Sequence, residues 1–516
     1  MNYYLGLDSG GTRTKAALFT AGGRELCSAS VPGAVLSSRP GHAERDMEEL
    51  WQSACEVIRR VVEKSGVRPE EVAALGICGH GKGLYLWGRD GRPARPGIVS
   101  ADSRAYRYPE LWRAEGRLEL ARRRTLQDML PCHPAALLAW LRDNEPQSFA
   151  EIRWVFSCKD YLRFRFTGEA AAELTDASGS GLLDLRSRRY EPELLELFGL
   201  GEIRGALPPL ADSGELCGRL SAGAARLCGL LPGTPVSGGM FDIDACALAA
   251  GLRGEGELCA VAGTWSINEY LSREPVTDGS AAMNSLYCIP GFYLIEESSP
   301  TSAGNAEWFL RRLMPEFAEG CAGSGSSPYD AMNAWVESVP PEEFVPVFLP
   351  FVLGSNAHPN ALGSFLGLSA AHGREHLLRS LYEGVVFSHR THIDRLLRGM
   401  AEPPAFLRLT GGAARSPVWS QMFADAMGLP VEAAAAGEPG ALGAAMSAAV
   451  AAGEYPSLAD AAGAMRPGSA RYEPRPELAE IYAEKYALYR GALDCLEPLW
   501  DRMQRLVEKS RPAGGQ

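Results

Sequence analysis

Asp242 is the residue whose surroundings in the sequence most clearly suggest catalysis. It follows a short apolar run and two glycines, Gly238 and Gly239, in the stretch P-V-S-G-G-M-F-D-I-D-A-C-A at residues 235–247. A carboxylate just beyond a strand end, with little side-chain bulk around it, can accept the proton of an attacking hydroxyl group. A glycine turn with a solvated aspartate gives the same pattern, so the interpretation depends on the other turns in the chain.

A second glycine turn lies near the N-terminus, between strands predicted at residues 3–8 and 15–20, where the chain reads D-S-G-G-T-R-T-K. Glycine lets backbone N–H groups approach phosphate oxygens, and threonine hydroxyls add further donors. An aspartate at the strand end can hold Mg²⁺ through water, because Mg²⁺ keeps most of its waters. A plain polar hairpin is the alternative. The candidate residues are Asp8, Gly10, Gly11, Thr12, Thr14 and Lys15.

The second half of the chain contains two more glycine turns, each after a predicted strand, at residues 257–262 and 406–410. Between them a polar loop enters a helix that we expect Ser302 to cap, and a helix N-terminus is a favourable place for phosphate. We expect the first turn to bind phosphate and the remaining residues to surround a nucleoside. The candidates are Gly263, Thr264, Gly304, Gly411, Gly412 and Ala413.

Polar residues that could bind a polyhydroxy substrate follow two other apolar runs. The strand predicted at residues 72–77 ends in C-G-H-G-K-G, and the apolar pair at 98–99 is followed by S-A-D-S-R. Open α/β sheets place ligands just beyond strand ends of this kind. A solvated loop histidine is equally consistent with the first sequence. The candidates are His80, Gly81, Lys82, Asp102 and Arg104.

Composition narrows the class of protein. The chain has 516 residues, enough for roughly two to four domains, with 46% apolar and 22% charged residues. Its net charge of -12 disfavours nucleic acid as a partner. The twelve cysteines contain no Cys-x-x-Cys pair, which indicates reduced thiols. No apolar run approaches the ~20 residues of a membrane helix. We therefore expect a cytoplasmic protein that binds neither nucleic acid nor membrane.

Local signals also predict individual elements. A third strand at residues 25–31 would complete a meander with the first two. Asp46 with Glu49, and Ser416 followed by Pro417, each predict the start of a helix.

Several other local patterns give further expectations. A helix of small residues predicted over 438–453 could pack against a flat ring such as adenine or tightly against a sheet, and both remain open. Arg163 and Arg165 alternate with phenylalanines and are expected to face solvent. His133, beside Pro134, is interpreted as a helix-start residue. A domain boundary is expected near residues 251–255.

Taken together, the four glycine turns favour a two-domain nucleotide-dependent phosphotransferase, and here the chain resembles the FGGY carbohydrate kinases over nearly its whole length. The matching motifs are L-G-L-D-S-G-G-T-R-T-K, G-G-M-F-D-I-D-A, A-G-T-W and L-T-G-G-A-A-R-S. Within the family it most resembles the L-xylulose / 3-keto-L-gulonate kinases, through A-E-R-D-M-E-E-L-W, S-P-T-S-A-G-N-A-E-W-F and Y-E-G-V-V-F-S-H-R-T-H. Some shorter stretches also resemble erythritol kinases.

The resemblance implies an α/β fold of the two-lobed actin-like ATPase (ribonuclease-H-like) type, each lobe a mixed sheet flanked by helices. It implies an N-terminal domain at 1–250 with the sugar site and Asp242, and a C-terminal nucleotide domain at 251–516. ATP and Mg²⁺ are the implied cofactors, with Asp8 and Asp242 near the metal, and homodimers occur in the family. The alternatives are a kinase for another ketose or a polyol such as erythritol, or a non-catalytic sensor that binds ATP and sugar.

Overall fold

The structure is a computed structural model, and it describes residues 2–278, 283–434, 437–466 and 468–510. The chain divides into two compact units, and each is made of several separate segments. Unit 1 comprises Met1–Gly254, Leu271–Ile295 and Ala436–Pro467. Unit 2 comprises Glu255–Tyr270, Glu296–Ala435 and Gly468–Gln516.

The strands, in chain order, are β1 (Tyr3–Ser9), β2 (Arg13–Thr20), β3 (Glu25–Pro32), β4 (Glu44–Arg45), β5 (Val72–Gly79), β6 (Tyr85–Gly88), β7 (Gly97–Ile98), β8 (Ile152–Phe156), β9 (Ala172–Glu173), β10 (Leu183–Asp184), β11 (Arg189–Tyr190), β12 (Leu210–Ala211), β13 (Leu216–Arg219), β14 (Pro235–Ser237), β15 (Met240–Phe241), β16 (Leu258–Ala262), β17 (Ser266–Ser272), β18 (Met283–Leu286), β19 (Tyr293–Ser299), β20 (Val347–Leu349), β21 (Ser364–Leu366), β22 (Leu407–Thr410), β23 (Val431–Ala434) and β24 (Ser469–Tyr472).

The α-helices are α1 (Met47–Ser65), α2 (Arg107–Ala114), α3 (Arg117–Thr125), α4 (Pro134–Asn144), α5 (Pro146–Ala150), α6 (Cys158–Thr167), α7 (Leu174–Ser178), α8 (Pro192–Leu197), α9 (Ala222–Cys228), α10 (Asp242–Ala250), α11 (Gly304–Leu313), α12 (Pro315–Ser324), α13 (Pro328–Glu337), α14 (Arg374–Leu396), α15 (Pro417–Met427), α16 (Pro439–Ala451), α17 (Leu458–Ala464) and α18 (Ala479–Ser510).

Unit 1 is built on a seven-stranded mixed sheet in the order β13-β14-β5-β1-β2-β3, with β15 beside β5. The strands β1, β2 and β3 form the antiparallel meander that the sequence predicts, and β5 runs parallel to β1. Since β1, β5 and β15 are neighbours and parallel, their C-terminal ends lie at one edge of the sheet. This edge carries the residues that follow each strand, including Asp8, His80 and Asp242.

Helix α16 packs directly on the sheet of unit 1. A Cβ atom on Gly6 of β1 would lie 1.8 Å from the carbonyl oxygen of Ala441, and one on Gly76 of β5 would lie 1.8 Å from that of Ala444. Only glycine permits backbones to approach this closely. Of the two interpretations of this small-residue helix, tight helix–sheet packing is therefore the one that the structure shows.

In unit 2, β16 pairs antiparallel with β17 and parallel with β22, and β22 pairs parallel with β23. The turn after β16 and the turn after β22 therefore leave the sheet side by side. With the helices around both sheets, this arrangement confirms the predicted α/β class of two mixed sheets flanked by helices.

Local capping signals predict several helix starts correctly. Asp46 caps α1, its carboxylate accepting from the backbone N–H groups of Glu48 and Glu49. Ser416 caps α15 and is followed by Pro417, and Gly428 ends that helix in the left-handed conformation. Ser302 does not cap α11 as expected, because Ala303 occupies the cap position and the Ser302 hydroxyl bonds elsewhere.

Candidate active site

The turn after β1 has free space around its middle residues and is held by hydrogen bonds at its ends. A Cβ atom on Gly11 would meet no atom within 4 Å, and Thr12 is exposed. Thr14 is buried, and its hydroxyl accepts a hydrogen bond from Nη2 of Arg45 at 3.1 Å. Arg45 also donates from Nη1 to the carbonyl oxygen of Gly10 at 3.3 Å. The turn is thus held by a buried arginine that sequence reasoning did not single out.

Asp8 stands at the end of β1 among charged neighbours. Lys15 forms an ion pair with Glu438 at 2.8 Å, and both act on the Asp8 carboxyl. Burial raises the pKa of Asp8 to about 6, although Lys15 favours the ionised form and Glu438 opposes it. Gly440 leaves room for the carboxylate, because a Cβ atom there would lie 2.7 Å from Oδ2 of Asp8.

Asp242 is positioned by its immediate neighbours in the chain. Gly238 and Gly239 are required for close approach, because Cβ atoms there would lie 2.2 Å from the carbonyl oxygen of Asp212 and 2.0 Å from that of Ile77. Phe241 donates its backbone N–H to Oγ1 of Thr175 at 2.8 Å, which fixes the residue before the carboxylate. Asp242 then opens α10.

The carboxyl group of Asp242 differs electrostatically from that of a solvated surface aspartate. Burial raises the pKa of Asp242 to about 8, and the negative charge of Asp8 adds to the effect. The positive charge of His80 lowers the pKa of Asp242 and so opposes these two effects. A carboxyl group with a pKa near the working pH is the kind that catalyses proton transfer well. The mutual effect of Asp8 and Asp242 also means that a cation between them would be favoured.

His80 and Gly81 lie beside Asp242. His80 Nδ1 donates to the carbonyl oxygen of Gly81 at 3.3 Å, and Nε2 lies 2.9 Å from Oη of Tyr85. Burial disfavours the charged ring, yet Cys158 and Asp242 raise the pKa of His80 to about 9. A Cβ atom on Gly81 would lie 2.5 Å from the ring of Phe241, so this glycine is required for the contact.

Lys82 has an unusual backbone conformation and a distinct environment. Its φ angle is 60°, in the left-handed region that non-glycine residues rarely adopt. Its Nζ lies 5.8 Å from the centre of the Phe241 ring. Strained backbone of this kind concentrates at functional sites, and here it directs a cation over the residue that precedes Asp242.

Asp102 and Arg104 are paired with each other. Arg104 donates from Nε to Oδ1 and from Nη2 to Oδ2 of Asp102, at 3.0 Å and 2.8 Å, and both side chains are buried. Arg104 also donates to Glu44 at 2.7 Å and stacks on Trp140 with its Cζ 5.1 Å from the ring centre. Two carboxylates therefore offset the charge of Arg104 within the fold.

A buried ion cluster behind β5 is a feature that the sequence did not reveal. Lys159 lies 2.9 Å from Asp160, 3.2 Å from Glu173 and 2.9 Å from Asp176. Arg163, expected to face solvent, is buried, and it pairs with Asp160 and donates to the carbonyl oxygen of Gly238. The expectation for Arg163 is wrong because the carbonyl oxygen of Gly238, 75 positions along the chain, comes next to it only in the folded protein. The cluster holds the glycine before Asp242.

Unit 2 brings its predicted residues together through backbone contacts. Gly411 has a φ angle of 89°, and a Cβ atom there would lie 2.7 Å from the carbonyl carbon of Ala262. A Cβ atom on Gly304 would lie 3.6 Å from the carbonyl oxygen of Thr264, and one on Gly412 would lie 3.8 Å from Cβ of Ala303. The residues gathered here are Gly263, Thr264, Gly304, Gly411, Gly412 and Ala413.

His389 of α14 holds the loop before α11. Its Nε2 lies 2.8 Å from Oγ of Ser302, and its Nδ1 lies 2.8 Å from Oδ1 of Asn268. Because the amide oxygen of Asn268 can only accept, Nδ1 carries the proton and Nε2 accepts from Ser302. Burial lowers the pKa of His389 to about 3, which keeps the ring neutral. This histidine is a positioning residue that the sequence gave no reason to place here.

Comparison with known proteins agrees with this geometry. The N-terminal domain of the FGGY family of carbohydrate kinases matches residues 3–249, and the C-terminal domain matches residues 258–452. The structure is similar to that of xylulose kinase from Rhodospirillum rubrum, with a TM-score of 0.84, 28% identity, and coverage of 97% of this chain and 100% of that one. The protein therefore has the two-domain actin-like fold of a sugar phosphotransferase. It belongs to the FGGY family of carbohydrate kinases.

Two groups of relatives within the family are informative. The L-xylulose/3-keto-L-gulonate kinase of Escherichia coli is 39% identical over 97% of this chain and 99% of its own length. The probable L-xylulose kinase of Pasteurella multocida is 37% identical over 97% and 100%. The erythritol kinase of Brucella abortus is 30% identical over 97% of each chain.

The family assignment makes the protein an enzyme that transfers a phosphoryl group to an alcohol group of a sugar, as FGGY kinases do with ATP as donor. The alternative of a non-catalytic sensor is thereby set aside. None of the helices in the described part of the chain is long and apolar enough to cross a membrane.

Proposed function

We propose that this enzyme phosphorylates a ketopentose or keto sugar acid of the L-xylulose / 3-keto-L-gulonate type. The similarity to kinases with those names extends over nearly the full length of each chain. The observation that carries the proposal is Asp242, a carboxylate with a pKa raised to about 8 at the edge of the unit 1 sheet. It accepts the proton of the sugar hydroxyl as that hydroxyl attacks the terminal phosphorus of ATP.

The nucleotide is held mainly by backbone groups. Gly10, Gly11 and Thr12 bind phosphate from unit 1 through N–H groups and one exposed hydroxyl, with Thr14 and Lys15 supporting the turn. Unit 2 contributes the residues gathered around Gly411. In this assignment Gly263 and Thr264 bind phosphate, and Gly304, Gly411, Gly412 and Ala413 surround the nucleoside.

Mg²⁺ fits the carboxylates of Asp8 and Asp242. The negative charge of Asp8 raises the pKa of Asp242, so a divalent cation between the two carboxylates relieves their repulsion. Among the residues that the structure describes, no group of three His, Cys, Asp or Glu side chains could hold a metal ion. That suits Mg²⁺, which binds through one or two carboxylates and water. When bound with ATP, it neutralises charge on the phosphates.

The sugar is bound by His80, Gly81, Lys82, Asp102 and Arg104. Gly81 and Lys82 lie against Phe241, and His80 acts electrostatically on Asp242, which supports assigning this segment to the sugar. Asp102 and Arg104, which neutralise each other, form a rigid polar wall. We assign sugar binding and the base to a functional domain at 1–250 and most nucleotide contacts to 251–516. We place the enzyme in the cytoplasm, as its twelve cysteines without a Cys-x-x-Cys pair suggest, and expect a homodimer.

A coupled ADP-release assay tests the proposal. Mg²⁺-ATP is supplied with L-xylulose, 3-keto-L-gulonate or erythritol, for wild type and Asp242→Asn. We expect turnover of one of the first two sugars and its loss in the variant. Turnover of erythritol alone would contradict the substrate assignment. Wild-type activity in Asp242→Asn would contradict the assignment of the base.

A further inference from the structure

Three of the cations around the candidate sugar site are neutralised by carboxylates within the fold. Lys15 pairs with Glu438, Arg104 pairs with Asp102 and Glu44, and Lys159 pairs with three carboxylates. Lys82 differs from these, because it has no carboxylate partner in the described part of the chain. Its ammonium group is half-buried and lies over Phe241, so a positive charge beside the base is left available to a ligand.

His133 is a second unusual group in this region. It is fully buried at the start of α4, and neither Nδ1 nor Nε2 has a hydrogen-bond partner among the described residues. Buried polar groups are nearly always hydrogen-bonded, so an orphaned imidazole calls for a functional explanation. A helix-start role accounts for its backbone position but leaves the ring unexplained, because the side chain makes no cap hydrogen bond.

The two residues are close in the fold. The backbone N–H of Gly83 donates to the carbonyl oxygen of Cys132 at 2.8 Å, which ties the segment of Lys82 to that of His133. Burial lowers the pKa of His133 to about 3, and the charge of Lys82 lowers it further. The imidazole ring of His133 is therefore uncharged at neutral pH, with one nitrogen able to donate a hydrogen bond and the other able to accept one.

We propose that Lys82 and His133 form a subsite that binds the carboxylate-bearing end of a keto sugar acid. Lys82 pairs with the carboxylate, and His133 hydrogen-bonds to the hydroxyl next to it. The charge of Arg104 is already paired with the carboxylates of Asp102 and Glu44, whereas, within the part of the chain that the structure describes, that of Lys82 is not. The inference rests on the proposed function, and it adds the residues that distinguish a sugar acid from an uncharged ketose.

Steady-state kinetics with 3-keto-L-gulonate and L-xylulose test the subsite, since only the first carries a carboxylate. Lys82→Met removes the charge and keeps the stem over Phe241. We expect kcat/KM for the sugar acid to fall about 30-fold beyond the change for L-xylulose, mainly through KM. This factor is equivalent to about 2 kcal/mol, which is within the range for one hydrogen bond to a charged group. Lys82→Arg keeps the charge and should restore most of the preference. Lys64→Met makes the same chemical change on the surface of α1 and serves as control.

His133→Asn tests the second residue, because asparagine is a good N-cap residue and preserves the start of α4. We expect KM to rise about tenfold for both sugars with a smaller change in kcat, as expected when a ground-state contact is lost. Thermal unfolding of each variant with bound ATP checks that the fold is intact.

The outcomes separate this inference from the proposed function. Equal losses for both sugars in Lys82→Met, or no binding of the sugar acid by a wild type that turns over L-xylulose, would overturn the subsite alone. Inactivity of the wild type toward both sugars would overturn the proposed function. Calorimetric titration with 3-keto-L-gulonate then decides the subsite, because binding lost in Lys82→Met supports it and no binding to wild type overturns it.

Discussion

The candidate residues of the two units are of different kinds. In unit 1, the residues around Asp242 are charged side chains that are tied into buried networks, such as Arg104 with Asp102 and Glu44. In unit 2, the equivalent positions are glycines whose backbones touch one another, as Gly411 touches Ala262. Around Asp242 the candidate residues present side chains, whereas around Gly411 they present mainly main-chain groups.

We attribute this difference between side-chain and main-chain groups to the two proposed ligands, the sugar and ATP. Every ATP molecule presents the same phosphates, which backbone N–H groups and helix N-termini bind without side chains. Sugars differ from one another in hydroxyl geometry and charge, and only side chains can discriminate them. We therefore expect mutations around Asp242 to change the chemistry and the choice of sugar, and mutations in the glycine turns to change nucleotide affinity.

The largest expected effect is at the base. Asp242→Asn should lower kcat by about 10²–10⁴, because a positioned general base typically contributes that much. KM for ATP should change little, since the unit 2 turns are untouched. Steady-state kinetics measure both, and Asp128→Asn on an exposed side chain is the control. An unchanged kcat would show that another group takes the proton.

The pH dependence of kcat/KM is the next largest effect. Burial and Asp8 raise the pKa of Asp242 to about 8, so the base is protonated below that pH and kcat/KM should fall about tenfold per unit. The pKa of His80, raised to about 9, sets the alkaline limb. His80→Gln should remove the alkaline limb. A profile that is flat from pH 6 to pH 8 would contradict the base assignment.

The free energy of unfolding should also depend on the protonation of Asp242. It should fall as pH rises, whereas kcat/KM should rise. The pKa of Asp242 is raised from 3.8 to about 8, so the folded state keeps a proton that the unfolded state has released between these values. Wild-type stability therefore falls as pH rises through this window. The melting temperature of Asp242→Asn should exceed that of wild type by an amount that grows from pH 5 to pH 8. A constant difference would show that Asp242 is ionised throughout.

The sequence correctly predicted the features that depend on residues close together along the chain. The meander of β1 to β3, the cap at Asp46 and the Ser416–Pro417 helix start depend on residues within one turn of each other, and the structure has them as expected. The four glycine turns were also visible, because glycine pairs after apolar runs are themselves a local signal.

What the sequence could not show depends on distant partners. The packing of α16 against Gly6 and Gly76 joins residues more than 350 positions apart. Arg163 is buried against the carbonyl oxygen of Gly238, 75 positions away. The two ring nitrogens of His133 have no hydrogen-bond partner among the described residues, which only the folded structure shows. No periodicity encodes these relations, since each arises only when the segments meet.

A glycine substitution in unit 2 sharpens the comparison. Gly411→Ala places a Cβ atom 2.7 Å from the carbonyl of Ala262 at a φ angle of 89°, so the turn must move. We expect KM for ATP to rise about tenfold, equivalent to about 1.4 kcal/mol, with the KM for sugar little changed. Gly428→Ala is the matched control, because its φ is also positive but its Cβ would meet nothing within 4 Å. It should lower stability by about 1–2 kcal/mol without affecting KM.

The smallest expected effects distinguish two threonines of the first turn, both predicted from the sequence to bind phosphate. The Thr12 hydroxyl is exposed, whereas that of Thr14 accepts from Arg45. Thr12→Val should raise KM for ATP about fivefold at constant melting temperature, as expected for one lost hydrogen bond of about 1 kcal/mol. Thr14→Val should instead lower the melting temperature, because Arg45 loses a buried partner. If Thr14→Val had the larger KM for ATP, the hydroxyl of Thr14 would be the one that binds phosphate. Side chains of unit 1 would then contribute more to nucleotide binding than we propose.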